Sequence, residues 1–504
     1  MVFDKYIKEN LILEVVFLSL AFAILIKSPD FPAWPGDVLT DSSVFQTIAM
    51  MMENGYMPYR DSFDHKGPVL YLINYLGRMI NHDHGIFWVE CVNLYILVKF
   101  LYKIADLFAK NIVSSVLTIC LSVYMVSWSF QGGNFTEEYA ATAISIGLYV
   151  YLDYLLNLNI SRLRLVVCGA MFSLVLLLRP NMVAVWFVFS LSIAIFCVWR
   201  RQYQLLFGFS LWFFAGVGLI LLPILVWLTS CGIVHDWFDC YIKFNLNYIE
   251  HSDVSRGLAF MVFGCHPVFI LASLSTICML FCKKQYRWIL TTYGVCLVLS
   301  LLLVTLSGRL YAHYAMTVVP LTAAPIAMLF RQWADIERSI YDYCSRFLIK
   351  NIISFLCIIL FVLNFMSIYQ LIAYQICENT SQSEKTREIC EVIQRFASPQ
   401  NTISVFGNTN KFYVRASRLH ATRYSYQYPI GAVLPEIMDD YYKSLKNELP
   451  AVIVVDNILK NDMDWSLYWN KIITFLNKNN YRLVYGKNND RFVVYAREKH
   501  VSDG

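Results

Sequence analysis

The sequence predicts a polytopic α-helical membrane protein of about eleven transmembrane helices, followed by a small α/β domain on the outer face. Three observations carry that prediction. First, 58% of the 504 residues are hydrophobic and only 15% are charged, with a mean hydropathy of +0.50. Soluble domains carry about 25% charged residues. Second, apolar runs recur at close to the ~20 residues that a bilayer requires. Third, the spans stop near residue 377, and charged helical and strand-like segments alternate from 378 to 504.

The chain opens with Lys5 and Lys8 ahead of an apolar segment from Leu11 to Ile26, closed by Lys27. No small-x-small cleavage pattern follows, so this segment reads as an uncleaved signal-anchor helix. Later runs fall near 86–104, 111–130, 139–157, 165–180, 182–199, 205–229, 259–281, 288–306, 314–330 and 351–373. The stretch 165–199 is too long for one span, and Arg179-Pro180-Asn181 divides it into a short hairpin.

Lysine and arginine set the orientation. Alternate loops carry Lys99, Lys103 and Lys110; Arg162 and Arg164; Arg200 and Arg201; Lys283, Lys284 and Arg287; then Arg331, Arg338, Arg346 and Lys350. All lie on the N-terminal side, which is therefore expected to be cytoplasmic. The net charge of +5 needs no nucleic acid to explain it, because these loops hold most of the basic residues. The 14 cysteines are scattered, many inside apolar runs, without a CxxC pair, and read as small buried hydrophobes. Cys231 and Cys240 share a predicted outer loop where a disulfide is conceivable, though nothing else in the sequence argues for one.

The stretch 28–85 is the first outer loop, and within it Asp37 to Pro68 is the one long polar interruption in the first third of the chain. It holds Asp37, Asp41, Glu53, Asp61, Asp64, His65 and Lys66, more ionisable groups than folding at a membrane surface requires. Val44, Phe45, Ile48, Met51 and Met52 recur at helical spacing, so Ser42 to Asn54 reads as an amphipathic helix lying on the membrane. Asp41 or Ser42 can cap it and Gly55 can end it. A turn at Pro58 leads to Asp64-His65-Lys66-Gly67-Pro68, and Val69 to Ile80 reads as a second interfacial helix.

In the last segment, Thr402–Gly407, Ala451–Asp456, Tyr481–Gly486 and Arg491–Ala496 look like strands, and 383–397, 435–448 and 464–479 look helical. The last two strands should pair through Lys487–Asp490. No GxGxxG, P-loop or internal repeat is present.

Several polar residues carry candidate chemistry. Asp41 can act as a general base toward a hydroxyl, or cap its helix, or both, because a capping carboxylate uses only one of its two oxygens. Lys66, where the loop returns to the membrane, can hold a phosphate as a point charge or can snorkel to the interface. Asp64 can pair with Lys66 or hold it in place, and His65 reads as a polar surface residue. Glu137 and Glu138, after the glycines of Gly132-Gly133-Asn134, can bind sugar or acceptor hydroxyls or serve as acids at a helix start. Arg179, at the outer end of a span, calls for either a phosphate or an ion-pair partner. Arg309 and His313 flank Tyr311 and share a face if their segment is helical. They fit donor phosphate or sugar binding, against an aromatic belt with a snorkelling arginine. His82-Asp83-His84 has metal-binding residue types, but all three cannot face one ion without an unusual turn, so no metal and no cofactor is assigned.

The spacing Asp41…Lys66-Gly67-Pro68, with an amphipathic helix between, resembles the first periplasmic loop of polytopic GT-C glycosyltransferases. These are the bacterial relatives of protein O-mannosyltransferases, the aminoarabinose transferase of lipid A and Rgt-type transferases. Members usually show an Asp-Glu pair followed by Lys-Pro-Pro; here the pair is Asp41-Ser42 and the triplet Lys66-Gly67-Pro68. The resemblance implies a GT-C catalytic domain over 1–377 and an extracytoplasmic α/β domain over 378–504. It implies a sugar donor on a polyprenyl phosphate, used with inversion on the outer face of a bacterial cytoplasmic membrane, with Asp41 as the base and Lys66 on the donor phosphate. Arg179, Arg309 and His313 join Lys66 as expected phosphate contacts. Asp64, Glu137, Glu138 and Tyr311 are expected at the sugar or acceptor, which can be a lipid, a glycan or a protein. Nucleotide sugars are absent outside that membrane, and a phosphate leaving group can be stabilised by cations without a metal. A polysaccharide polymerase or ligase using lipid-linked glycans is the alternative. A lipid-linked sugar transporter fits less well, because its ionisable groups would sit deep in the spans.

Overall fold

The computed structural model describes residues 2–32, 40–157, 161–250, 255–306, 308–339, 369, 379–462, 465–487 and 489–498. Contacts divide the chain into two compact units. One comprises Met1–Ser28, Phe87–Trp227 and Ser252–Ile372; the other comprises Pro29–Ile86, Leu228–His251 and Ala373–Gly504.

The first unit is helical. Among the described residues, five helices are long and apolar enough to cross a membrane: Gly85–Ala109, Ile112–Ser129, Thr136–Asn157, Tyr203–Ser230 and Lys284–Val304. Two bent pairs raise this to seven, Arg256–Gly264 with Pro267–Phe281 at 81° and Ala312–Val318 with Pro320–Asp335 at 58°. The sequence reads each of those pairs as one straight span. Proline explains the break at Pro267, which has no N–H for the helix ladder and whose ring excludes the carbonyl of the preceding turn. His266 before it is extended, with ψ 129°, as the residue before proline prefers. The expected hairpin about Arg179 is present as the helices Arg162–Leu176 and Ala184–Trp199. Apart from residue 369, the expected span at 351–373 lies outside the described residues.

Glycines let these helices meet backbone to backbone. A Cβ on Gly169 would lie 1.9 Å from the Phe213 carbonyl, and one on Gly216 would lie 1.9 Å from that of Val166. Small residues at a helix contact serve that purpose inside a membrane, where lipid is as apolar as leucine. Trp186 closes the neighbouring contact, covering Gly147 with its ring and donating Nε1–H to the Cys168 carbonyl at 3.0 Å.

The second unit is built on a four-stranded sheet of order β1-β2-β4-β3, with β1 at Ile403–Phe406, β2 at Val452–Asp456, β3 at Tyr481–Tyr485 and β4 at Phe492–Arg497. β1 and β2 run parallel, and β4 is antiparallel to both β2 and β3. Each strand falls within a residue or two of its expected position, and β3 and β4 pair as expected. Every residue of β1 and β2 is buried, as continuous apolar runs should be in a covered sheet.

The first outer loop belongs to this unit. The expected amphipathic helix spans Thr40–Glu53, but residues 42–51 are all buried, so its apolar face packs into protein rather than onto lipid. Met50 shares a core with Ile389, Ile393, Val405, Phe412, Val454 and Val494 of the C-terminal domain. The Asn410 backbone N–H donates to Ser43 Oγ at 3.1 Å. Gly55 follows with φ +86°, the left-handed residue that ends the helix. The second expected helix spans Pro68–Ile80, with Leu76, Met79 and Ile80 exposed at 52%, 67% and 55%. That outward apolar edge is what an interfacial helix presents to lipid.

Candidate active site

Each unit gathers its own set of the expected site residues. In the second unit, Asp41 lies exposed in the first turn of the helix Thr40–Glu53. The helix starts at Thr40, so Asp41 is inside it and does not occupy the cap position. There a carboxylate meets the positive end of the helix dipole. Asp30 lies close to the same helix. It is buried, and Gln46 donates Nε2–H to its carboxylate at 3.4 Å and to Ser42 Oγ at 3.0 Å. Burial pushes the Asp30 carboxyl above its ordinary range against the pull of Arg415. Asp37 lies outside the described residues.

The segment 57–66 is held on several sides. Phe63 N–H donates to the Arg423 carbonyl at 2.7 Å, and Arg423 Nε–H donates back to the Tyr59 carbonyl at 2.9 Å. Ser62 Oγ meets His420 Nε2 at 2.8 Å. Asn245 donates to the His65 carbonyl at 2.7 Å. Within this frame Asp64 is buried, accepting from Tyr71 Oη and Tyr426 Oη, each at 2.9 Å. The residue that meets Lys66 is therefore His65, whose Nε2 lies 2.9 Å from Lys66 Nζ, and not Asp64. Lys66 is partly exposed. The expectation that His65 is a plain surface residue is corrected: its side chain is 12% exposed and its ring packs on Phe244.

Of the metal-type triplet, His82 faces Glu53 at 3.3 Å and His84 Nδ1 faces the Asp30 carbonyl at 3.3 Å, so the two point to different partners. Cys231 and Cys240 are free thiols, and Cys240 accepts from Arg423 Nη2 at 3.4 Å.

The first unit gathers the others. Arg179 and Glu137 form an ion pair of 2.5 Å, and the guanidinium lies 4.5 Å over the Tyr314 ring. Thr136 Oγ donates to the other oxygen of Glu137 at 2.7 Å. Glu138 is buried, accepting from Asn93 Nδ2 at 3.0 Å and from the Asn134 N–H at 2.9 Å. That last bond satisfies an amide just before the helix Thr136–Asn157, as a capping-box acid does. Gln131 through Asn134 all adopt positive φ, from +46° to +98°. The close approach that Gly133 allows is to protein: a Cβ there would lie 2.0 Å from Glu90 Oε1. Ser28 Oγ donates to Glu90 Oε2 at 3.2 Å.

His313 stacks on Phe135 with ring centroids 4.1 Å apart and on Tyr311 at 5.5 Å, and Gln131 Oε1 lies 2.8 Å from its Nδ1. Arg309 is buried and Tyr311 is exposed at 43%. The condition for Arg309 and His313 to share a helix face is not met, since the 3₁₀-helix begins only at Ala312.

Sequence reasoning missed Asp30, Tyr71, Glu90, Tyr314 and Tyr426. Asp30 and Glu90 carried a usable signal, an acid next to or inside an apolar run. The three tyrosines carried none in a chain with 33 of them.

No curated protein matches the sequence. Two crystal structures of ArnT from Cupriavidus metallidurans share the fold. The one bound to undecaprenyl phosphate aligns with a TM-score of 0.63 at 12% identity, over 96% of this chain and 97% of that one. The apo structure aligns with a TM-score of 0.59 at the same identity and coverage. The chain therefore shares the ArnT fold over nearly its full length. Residues 31–377 match the family model described as "Putative competence-induced protein Ccs4 N-terminal domain", and with well over half of its length covered the chain belongs to that family.

Proposed function

We propose that the protein is an integral-membrane glycosyltransferase. It moves a sugar from a polyprenyl-phosphate donor to an acceptor hydroxyl on the outer face of the cytoplasmic membrane. The observation that carries this reading is the end-to-end fold match to ArnT bound to undecaprenyl phosphate. The positions of Asp41 and Lys66 in one packed loop support it.

In this reading Asp41 takes the proton of the acceptor hydroxyl as it attacks the anomeric carbon with inversion, and the polyprenyl phosphate leaves. Exposure at a helix start suits a base that must meet a mobile acceptor. Lys66 holds the donor phosphate and offsets the charge that grows on it as the bond breaks. In the first unit, Arg309 and His313, with Arg179 paired to Glu137, are separate candidates for contacts to phosphate. Tyr311 offers an aromatic face to the sugar. Asp64, Glu137 and Glu138 contribute by keeping their cations and loops in place.

Orientation follows the basic loops, with residues 378–504 outside. The packing of 29–86, 228–251 and 373–504 into one unit supports this, because segments of one folded unit lie on one side of a bilayer. The test is incubation of the purified protein with a panel of radiolabelled polyprenyl-phosphate sugars. Label should leave the lipid from at least one donor; no release from any member, with folded protein and intact donors, overturns the reading.

A further inference from the structure

An ammonium group carries only donors, so the 2.9 Å contact from Lys66 Nζ makes His65 Nε2 the acceptor. The ring proton then sits on Nδ1. That nitrogen faces Asp64 Oδ1 at 3.4 Å, and Asp64 is itself fixed by Tyr71 and Tyr426. The ring cannot swing freely, since it packs on Phe244 with centroids 5.2 Å apart and its own carbonyl is held by Asn245. A chain of contacts thus runs from Tyr426 in the C-terminal domain through Asp64 and His65 to the lysine ammonium.

We propose that His65 is the positioning residue for Lys66. Nε2 holds the ammonium in one place, and the Asp64 carboxylate beside the ring, itself held by Tyr426, ties that place to the C-terminal domain. This rests on the reading of Lys66 as the contact to a polyprenyl phosphate. The advantage is entropic: a lysine stem loses rotamer freedom when its charge is held, and here that loss is taken on folding, before phosphate arrives. Two ammonium protons stay available to the phosphate.

Two substitutions separate positioning from mere packing. In His65→Gln the side-chain amide reaches about as far as Nε2 and can accept from Lys66. In His65→Asn the amide stops near the Nδ1 position and cannot. The probe is undecaprenyl phosphate in detergent micelles, titrated into the full chain and followed by tryptophan fluorescence, with melting temperature measured alongside. Lys66→Ala should weaken binding by about tenfold or more, the worth of a charge-assisted hydrogen bond. His65→Asn should weaken it by about three- to tenfold, and His65→Gln should bind within about twofold of the parent at a similar melting temperature. Parent-like binding by His65→Asn, or equal losses in Asn and Gln, overturns the positioning role while Lys66→Ala still reports on the phosphate site. Parent-like binding by Lys66→Ala overturns the phosphate reading and this inference with it.

Discussion

Tyr426 Oη donates to Asp64 Oδ1 at 2.9 Å, joining the C-terminal domain to the first outer loop across 362 residues of sequence. Both side chains are buried, at 6% and 2% exposure. Tyr426→Phe leaves the ring in place and takes one donor from a buried carboxylate. It should cost about 1–3 kcal/mol of stability. Limited proteolysis should show faster cutting within 56–67, and an unchanged cleavage rate would place the loop's anchor elsewhere.

The pair Arg179–Glu137 makes a prediction for the first unit. Removing one partner strands the other in a largely buried site, at a cost of about 3–5 kcal/mol. Arg179→Met and Glu137→Gln should each lower the denaturation midpoint in detergent. The double variant should be less destabilised than the sum of the two. Additive losses in that cycle would mean the pair is not coupled.

Two glycines with the same φ of +86° should respond differently to alanine. At Gly55 a Cβ meets nothing within 4 Å, so only backbone strain is added, about 1 kcal/mol. At Gly133 a Cβ also strikes Glu90 Oε1 at 2.0 Å and the Phe130 ring at 2.6 Å. Gly133→Ala should therefore be far the more destabilising, measured by the same denaturation midpoint.

His420 predicts an acid transition in the second unit. Burial depresses its basicity from the ordinary 6.5 to about 4, with the Thr422 carbonyl and Asp61 opposing. The folded state is then the poorer proton binder, so stability is level above pH 6.5 and falls as pH drops from 6.5 toward 4. His420→Gln should flatten that part of the melting-temperature profile. A profile with the same slope in parent and variant would remove His420 as the cause.

The fold was legible where one signal dominates. Apolar runs located helices of the first unit, of which five among the described residues, or seven with the bent pairs, are long and apolar enough to cross a membrane rather than the expected eleven, and the alternating segments after 378 located all four strands. The breaks at Pro267 and Pro320 sit inside runs whose hydropathy is uninterrupted, and a window average cannot see a missing N–H. The fate of the helix Thr40–Glu53 was hidden for another reason. Val44, Phe45 and Ile48 look the same whether they face lipid or, as here, lie buried in protein, because both are apolar solvents. Lys66 was readable as a charge at a membrane edge. Its contact with His65 was not, because neighbouring residues in an extended segment usually point apart.

Asp41 is the residue on which the proposed chemistry turns. The measurement is turnover of Asp41→Asn with the polyprenyl-phosphate sugar that the parent protein uses. Asparagine keeps the size and the helix start while removing the base. The expected variant is folded, with parent-like melting and donor binding, and turns over more slowly by about 10²–10⁴. Parent-like turnover in Asp41→Asn would contradict the proposed role, and would move the base to another acid such as Asp30.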